Sequence, residues 1–298
     1  MAPLRGRLRA RPVLRQAHAR TRPYPAGPAA LTDSTDGFRA ETLVAIEAVK
    51  RAFTLTRHGV AAEDVAAKGA RDLVTAADVA VEDLVRGVVG DALGFSVIGE
   101  ERGGDASTDG SPYWLVDPIC GTRNFASGIP LYCVNLALVE GNEISVAVVG
   151  DPSTGEIDVA ERRRGAWRLN DGGRHPLRTS DESRTIVIED GKAKGSRREH
   201  AAQFTAAAIR ADRWEFRSLG TTLASPYLAA GRIAAYVVFW VSAIHAGAGS
   251  LLVTEAGGTV SDIAGRPWTI RSDSLVGSAN RHLHEELLDL ARSDLDLE

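Results

Sequence analysis

The sequence predicts an α/β protein built of two halves. Apolar residues three to four positions apart over 43–53 indicate a helix, and residues 131–170 have the apolar runs and glycine turns of an antiparallel meander. After residue 173 the pattern changes to alternating strands and helices. We therefore predict an N-terminal α+β half over 37–180 and a C-terminal α/β half over 181–298.

The predicted elements follow in order along the chain. The first helix begins near Gly37 and ends at Gly59, and the second follows Thr75, whose side chain suits a helix start. The predicted strands are 95–98, 114–116, 131–140, 143–150, 156–161, 166–169, 185–189, 215–220, 234–240 and 274–280, and the later helices are 198–211, 222–230, 246–256 and 282–291.

The composition of the 298 residues is that of a soluble globular protein. Hydrophobic residues make up 44% and charged residues 25%, which excludes a disordered chain and a collagen-like chain. The net charge of -4 excludes a nucleic-acid binder that relies on overall basicity. No apolar run approaches the roughly 20 residues of a membrane-spanning helix, so no membrane span is predicted. Two cysteines, Cys120 and Cys133, are too few for a disulfide scaffold and predict a cytoplasmic protein.

An arginine-rich segment precedes the first predicted helix. Residues 1–32 contain seven arginines and no acidic residue, so the net charge of -4 divides into +7 for this segment and -11 for residues 33–298. Its prolines oppose a helix, and it lacks the apolar core of a secretory signal. We predict that residues 1–36 form a disordered extension.

Short segments that concentrate acidic residues, glycines and threonines indicate a site. These segments are 72–78, 98–101, 114–125 and 244–258. Glu100 and Asp117 come directly after predicted strands, where carboxylates commonly face a site because the backbone opens to solvent. Hard oxygen ligands of this kind suit Mg²⁺, which combines a few carboxylates with water and phosphate oxygens. The turn at 120–122 precedes a predicted short helix, whose backbone N–H groups could face an anion.

The four segments, in this order and spacing, resemble those of the inositol monophosphatase family of metal-dependent, lithium-sensitive phosphatases. The similarity extends from about residue 38 to 290, and its most specific part is the tract 114–125, WLVDPICGTRNF. The resemblance implies a layered α/β/α/β/α sandwich of two α+β halves with the metal ions at their junction. It also implies a small-molecule phosphate as substrate and a homodimer.

The resemblance implies a role for each matching residue. The residues that match the ligands of a first metal ion, Mg²⁺, are Glu100, Asp117 and the backbone carbonyl of Ile119. Asp78 and Thr122 match the pair that orients and deprotonates the attacking water. Gly121 and Thr122 match the turn that contacts the phosphate. A second metal ion would stabilise the leaving alkoxide in the usual two-metal arrangement.

The sequence departs from the family pattern at the second metal. Cys120 stands where the family has the second Asp of its D-P-I-D-G-T tract, and His245 stands where it has the Asp of W-D-x-A-A-G. The glutamate that commonly contacts a substrate hydroxyl corresponds to Val238, and the predicted pocket wall continues with Phe239 and Trp240. Because valine removes the polar group that selects a polyol, we predict a substrate that is larger and more apolar or aromatic than inositol phosphate.

Three interpretations of these departures are open. In the first, the protein hydrolyses phosphomonoesters, and Asp117, Cys120 and His245 hold Zn²⁺ or Mn²⁺ beside the Mg²⁺ site. In the second, no metal ion takes part, and Cys120 and His245 form a thiol–imidazole pair for acyl-transfer or cyclisation chemistry, with Asp117 or Asp78 orienting the imidazole. In the third, the protein is a non-catalytic, ligand-binding relic. Retention of the acidic residues and of Thr122 argues against the third, because unneeded acids around one cleft repel each other.

Overall fold

A computed structural model of the chain describes residues 35–58, 65–69, 72–106 and 110–293. The predicted N-terminal extension lies outside these residues, except for its last two positions. None of the helices within the described residues combines the length and the hydropathy that crossing a bilayer requires.

Seven helices and fourteen strands are formed by the described residues. The helices are α1 (Ala40–His58), α2 (Ala76–Leu93), α3 (Thr122–Ala126), α4 (Ser196–Ala211), α5 (Ala224–Ala229), α6 (Ala243–Glu255) and α7 (Arg281–Ser293). The strands are β1 (Val65–Gly69), β2 (Asp72–Thr75), β3 (Ser96–Gly99), β4 (Tyr113–Cys120), β5 (Cys133–Glu140), β6 (Glu143–Gly150), β7 (Ile157–Glu161), β8 (Ala166–Asn170), β9 (Gly173–Pro176), β10 (Thr185–Glu189), β11 (Glu215–Arg217), β12 (Ala235–Val238), β13 (Thr259–Ser261) and β14 (Leu275–Ser278).

Strands β3 to β9 form a seven-stranded sheet in sequential order. Only the β3–β4 pair within it is parallel, so the rest is the antiparallel meander that the alternation of apolar and turn residues predicts. Helices α1 and α2 cover one face of this sheet. The core between them contains side chains such as Ile46, Val85 and Leu136, all of which are buried.

The second sheet has five strands in the order β11-β10-β12-β14-β13. Helices α4 and α7 pack against each other beside this sheet, where Phe204 and Leu287 are buried. Helix α6 contacts both sheets, and α5 packs against α6 and against β12 and β14 of the second sheet. Both helices contribute to one apolar core that contains side chains of both sheets. The order of layers is therefore helices, sheet, helices, sheet, helices, and the predicted layered α/β/α/β/α fold is confirmed.

The predicted division at residue 180 falls between β9 of the first sheet and β10 of the second. The described residues belong to one compact unit, within which α6 contacts both sheets. The predicted boundary thus coincides with a change of sheet, and the division into two halves stays a prediction.

Strand β4 is longer than the sequence predicts. We expected the strand to stop at Asp117, but it continues to Cys120 through an irregularity in its pairing with β5. Proline interrupts the hydrogen-bond ladder, which is why Pro118 is found at a bulge and does not end the strand. The β1–β2 hairpin, β9 and β13 are also absent from the sequence predictions, because they are short and rich in small or polar residues.

Candidate active site

A cleft of about 380 Å³ lies at the end of β4 and is bounded by β10, β12 and the start of α6. Residues from both sheets line it. Among the predicted site residues, the ones that line the cleft are Glu100, Ile119, Cys120, Gly121, Thr122, Val238 and His245. Asp78 and Asp117 are fully buried directly behind this lining. The structure therefore brings together all of the residues predicted to act in catalysis, to contact the phosphate or to bind metal.

The bulge in β4 turns Asp117 and Cys120 toward the same side of the sheet. Asp117 pairs with Asn135 of β5, and Cys120 pairs with Cys133, so three residues of β4 oppose two of β5. A regular strand would send residues three apart to opposite faces. Because of the bulge, the carboxylate and the thiol can meet at one point.

Asp117, Cys120 and His245 form a compact cluster at that point. Nδ1 of His245 lies 2.7 Å from Oδ2 of Asp117, and Nε2 lies 3.9 Å from Oε1 of Glu100. One ligand atom from each of the three residues lies within 4.8 Å of the other two. The imidazole comes from the first turn of α6, so the C-terminal half completes a site that begins on β4.

The cluster shifts the pKa of both of its unusual members. Burial lowers the pKa of His245, but the charge of Asp117 and the hydrogen bonds of the imidazole with Asp117 and Cys120 outweigh it, so this pKa lies well above its usual range. The pKa of Cys120 also lies well above its usual range, because of its hydrogen bond with Cys133, its burial and the nearby charge of Asp117. The arrangement thus favours a protonated imidazole beside a neutral thiol when no other cation is present.

The sulfur of Cys120 also receives hydrogen bonds from a distant segment of the chain. Thr222 approaches it with its backbone nitrogen at 3.3 Å and with its hydroxyl oxygen at 2.9 Å. The hydroxyl of Thr221 donates to the backbone carbonyl of Cys120 at 2.8 Å. These contacts fix the thiol at the edge of the cleft, where 8% of Cys120 is exposed.

Asp78 and Thr122 form a second arrangement beside the cluster. Thr75 and Asp78 make a capping box at the start of α2, in which Oδ2 of Asp78 accepts the backbone N–H of Thr75. The other oxygen, Oδ1, accepts the hydroxyl of Thr122 at 3.0 Å, and the same hydroxyl lies 3.1 Å from the carbonyl of Ile119. Burial raises the pKa of Asp78, although its hydrogen bonds from Thr75 and Thr122 oppose the shift.

The cluster has the donor set of a divalent-cation site. Oδ1 of Asp117 is buried and has no hydrogen-bond partner among the described residues. A buried carboxylate oxygen without a partner is costly, and a bound cation would satisfy it. Carboxylate, thiolate and imidazole are all Zn²⁺ ligands, and three protein ligands leave a position open for a substrate. The residues therefore fit a borderline-soft divalent ion better than they fit Mg²⁺ alone.

Comparison with known proteins agrees with this geometry. The model of the inositol monophosphatase family matches residues 34–295. The chain belongs to the inositol monophosphatase family. Membership supports a metal-dependent phosphatase, the activity for which the family is named.

Individual relatives cover more than four fifths of this chain. Inositol monophosphatase 1 of Solanum lycopersicum is 32% identical in an alignment of length 257 that covers 83% of this chain and 92% of that protein. Histidinol-phosphatase of Mycobacterium tuberculosis is 33% identical in an alignment of length 258 that covers 83% of this chain and 96% of that protein. The crystal structure of the SuhB protein of Bartonella henselae superimposes with a TM-score of 0.77 at 27% identity and covers 85% of this chain and 99% of that one.

The cleft wall differs from the prediction at one residue. Val238 and Trp240 line the cleft, whereas Phe239 is buried on the opposite side, against His200 and Phe204. The prediction that all three consecutive residues form the wall is wrong, because side chains alternate between the two sides of an extended chain. Trp240 is the large apolar residue that the wall presents to solvent, with 43% of its surface exposed.

The sequence does not predict a site role for three further residues that contact or line the cleft. Asn135 donates to Oδ2 of Asp117 and to the hydroxyl of Thr222. Glu189, at the end of β10, lines the cleft and accepts the backbone N–H groups of residues 219 and 220. A polar residue inside the apolar run of β5 and a carboxylate at a strand end were signals for Asn135 and Glu189, but no local signal marked Thr222.

Proposed function

We propose that the chain is a metal-dependent phosphomonoesterase that acts on a small metabolite phosphate other than inositol phosphate. The observation that carries the proposal is the pairing of two arrangements in one cleft. The Asp78–Thr122 hydrogen bond lies beside the Asp117, Cys120 and His245 cluster, and Ile119 connects them through its carbonyl. A group that orients water therefore stands next to a group of cation ligands.

The proposed catalytic roles follow from the hydrogen bonds. The hydroxyl of Thr122 donates to Asp78, so its lone pairs are available to accept a proton from an attacking water molecule. As it does so, the hydroxyl passes its own proton to Asp78, and burial, which raises the pKa of Asp78, makes this carboxylate a better proton acceptor. The backbone of the turn at Gly121 and Thr122 would contact the phosphate.

Metal ions would supply polarisation of the phosphate and neutralisation of the developing charge. We assign Mg²⁺ to Glu100, Asp117 and the carbonyl of Ile119, whose donors are all hard oxygens. Zn²⁺ or Mn²⁺ is assigned to Asp117, Cys120 and His245. Asp117 belongs to both sets, and its unpartnered Oδ1 supports that assignment.

The cleft wall supports the choice of substrate. Val238 offers no hydrogen bond to a hydroxyl, and the exposed ring of Trp240 offers an apolar surface next to it. The Mycobacterium tuberculosis relative, which is 33% identical, is named for a phosphate other than inositol phosphate, and this supports the choice. A substrate with an apolar or aromatic portion fits this wall better than a polyol does.

A metal-dependent assay tests the proposal. The purified protein is incubated with aryl, sugar and inositol phosphates in the presence of Mg²⁺, Mn²⁺ or Zn²⁺, and released phosphate is measured. We expect hydrolysis that a chelator abolishes and a metal ion restores, with faster turnover of aryl phosphates than of inositol phosphate. Absence of turnover with every metal would contradict the phosphatase, and faster turnover of inositol phosphate would contradict the substrate class.

A second candidate function uses Cys120 as a nucleophile. It is favoured by the 2.7 Å contact of His245 with Asp117. A carboxylate that contacts an imidazole, with a thiol beside the imidazole, is the arrangement of an acyl-transfer site. Under this hypothesis Cys120→Ala abolishes activity on an acyl substrate while a chelator leaves it intact. Under the phosphatase hypothesis, Cys120→Asp combined with His245→Asp retains or increases chelator-sensitive phosphatase activity. Metal analysis of the purified protein separates the two, since only the phosphatase needs a bound ion.

We also propose a homodimer and a cytoplasmic location. The family resemblance supports the dimer, and the scarcity of cysteine supports a reducing compartment. Light scattering coupled to gel filtration measures the first. A monomer at micromolar concentration would contradict it.

A further inference from the structure

We propose that Cys120 and Cys133 are an oxidation site, at which a peroxide converts the two thiols into a disulfide inside the cleft. In the fold, the two residues lie directly opposite each other on the neighbouring strands β4 and β5. Opposed residues of antiparallel strands have Cα atoms about 4.5–5.5 Å apart, which falls within the range that a disulfide spans.

Side-chain contacts place the two sulfurs together. The Sγ atom of Cys120 lies 2.9 Å from the hydroxyl oxygen of Thr222, and the Sγ atom of Cys133 lies 3.6 Å from the same oxygen. Both cysteines are free thiols. One hydroxyl group therefore contacts both sulfurs, and the two side chains lie on the same face of the strand pair, as those of opposed residues do.

The two thiols differ in access, which sets the order of events. Cys120 lines the cleft and is 8% exposed, whereas Cys133 is fully buried behind it. A small oxidant such as hydrogen peroxide that enters the cleft meets Cys120 first. Cys133 is then positioned to react with the oxidised sulfur before a second oxidant molecule arrives.

The reaction has two balanced steps. In the first, the sulfur of Cys120 attacks one oxygen of hydrogen peroxide and the O–O bond breaks. The leaving hydroxide takes the thiol proton of Cys120, so the products are a sulfenic acid and one water. In the second, the sulfur of Cys133 attacks the sulfenic sulfur, an S–S bond forms, and the hydroxyl group leaves with the proton of Cys133 as a second water. The two thiols are oxidised and the peroxide is reduced.

The disulfide would change the site. A sulfur bound to another sulfur is no longer a thiolate ligand, so the set of Asp117, Cys120 and His245 would lose one member. Oxidation would then lower metal affinity, and a reductant would restore it. This consequence rests on the proposed function, but the disulfide itself does not.

Thiol counting and mass measurement test the disulfide independently of any activity. The full chain has two cysteines, so both can be followed. The purified protein is treated with hydrogen peroxide, quenched with catalase, denatured, alkylated and analysed by mass spectrometry. We expect loss of both alkylation sites, a monomer lighter by two hydrogen atoms, and full recovery of both thiols on reduction.

Two variants assign the roles. In Cys133→Ser, peroxide should leave Cys120 as a sulfenic acid that dimedone captures, and no disulfide should form. In Cys120→Ser, Cys133 should keep its thiol through the same treatment because it is buried. The proposal is overturned if the wild-type protein keeps Cys133 alkylatable while Cys120 gains oxygen, if it forms a disulfide-linked dimer, or if both thiols survive. The wild-type measurement decides even if a variant does not fold.

Discussion

For single residues, the short sequence tracts predict which side chains meet in the cleft. They do not predict the residues that hold those side chains in place. Asp78, Asp117 and Thr122 were identified from their tracts, and the structure brings them to one cleft. Thr222 was not, because it reaches Cys120 from 102 positions along the chain. Spacing within a tract indicates local geometry, whereas a contact between residues so far apart in the sequence depends on how the two sheets pack.

Replacing Asp78 tests its proposed role as the proton acceptor. Asp78→Asn keeps the shape of the side chain and an oxygen that can accept the hydroxyl of Thr122, but it removes the basic carboxylate. We expect phosphatase turnover to fall by about 10²–10⁴-fold, the usual contribution of a general base. We also expect the free energy of unfolding to fall by about 1–3 kcal/mol, because the amide nitrogen takes the place of Oδ2, which accepts the backbone N–H and the hydroxyl of Thr75. Steady-state kinetics and urea unfolding measure the two effects.

Asp83 provides the control for that substitution. It lies on the same helix, is exposed, and forms an ion pair with Arg102. Asp83→Asn should leave turnover within about twofold of wild type, since an exposed ion pair contributes little. Equal activity of the Asp78 and Asp83 variants would rule out the proposed role of Asp78.

Val238 is the residue at which the choice of substrate can be reversed. Val238→Glu introduces a hydrogen-bonding carboxylate into the cleft wall, where it can contact a substrate hydroxyl. We expect the ratio of kcat/KM for inositol phosphate to that for an aryl phosphate to rise by at least about tenfold. Val241→Glu places the same charge at another buried valine of the cleft, and it should not raise that ratio. A similar rise in both variants would show that charge alone matters.

At the scale of elements, the predictions succeed where hydrophobic periodicity is strong. Helices α1, α2, α4, α6 and α7 and strands β5 to β8 lie where the apolar spacing predicts them. The bulge in β4 was not predicted, because the apolar run ends at Asp117 and the pairing partner is needed to see that the strand continues. The element that departs from the regular pattern is thus the one that builds the site.

Gly121 joins this bulged strand to α3, and its backbone conformation predicts that a side chain at this position destabilises the fold. Its φ of +104 is unfavourable for other residues, and an added Cβ would lie 2.8 Å from the carbonyl oxygen of Leu131. Gly128, at the other end of α3, has a φ of +70 but open space around it. Gly121→Ala should therefore lose about 1–3 kcal/mol more in the free energy of unfolding than Gly128→Ala, which pays only the conformational penalty of about 1–2 kcal/mol. Urea unfolding of both variants measures the difference, and equal losses would contradict the close contact.

In the molecule as a whole, a partly buried ion network connects the first sheet to the C-terminal half. Arg168 of β8 donates two hydrogen bonds to Asp158 of β7, and it also lies 3.2 Å from Glu156. Glu156 in turn accepts two hydrogen bonds from Arg232, which precedes β12. The layered fold follows from apolar patterning, but this network does not, since its charged residues have no spacing that distinguishes them from surface residues.

Asp158 makes the stability of the whole molecule depend on pH. Burial raises its pKa to about 6, against an ordinary value of 3.8, although Arg168 opposes the shift. Between these two values the folded protein holds a proton that the unfolded chain has released. The contribution of Asp158 is therefore fully present below about pH 4 and is lost as the pH rises through 6, by up to about 1.4 kcal/mol per pH unit.

Comparison of the wild type with Asp158→Asn isolates this effect, because other titrating groups are common to both proteins. The difference in the free energy of unfolding, wild type minus variant, should decrease between pH 4.5 and 6.5 and then stay constant to pH 8. Urea unfolding at half-unit intervals measures it. A difference that increases with pH over the same interval would mean that the attraction of Arg168 outweighs burial, so that the carboxylate is ionised throughout and the network stabilises the fold through its charges.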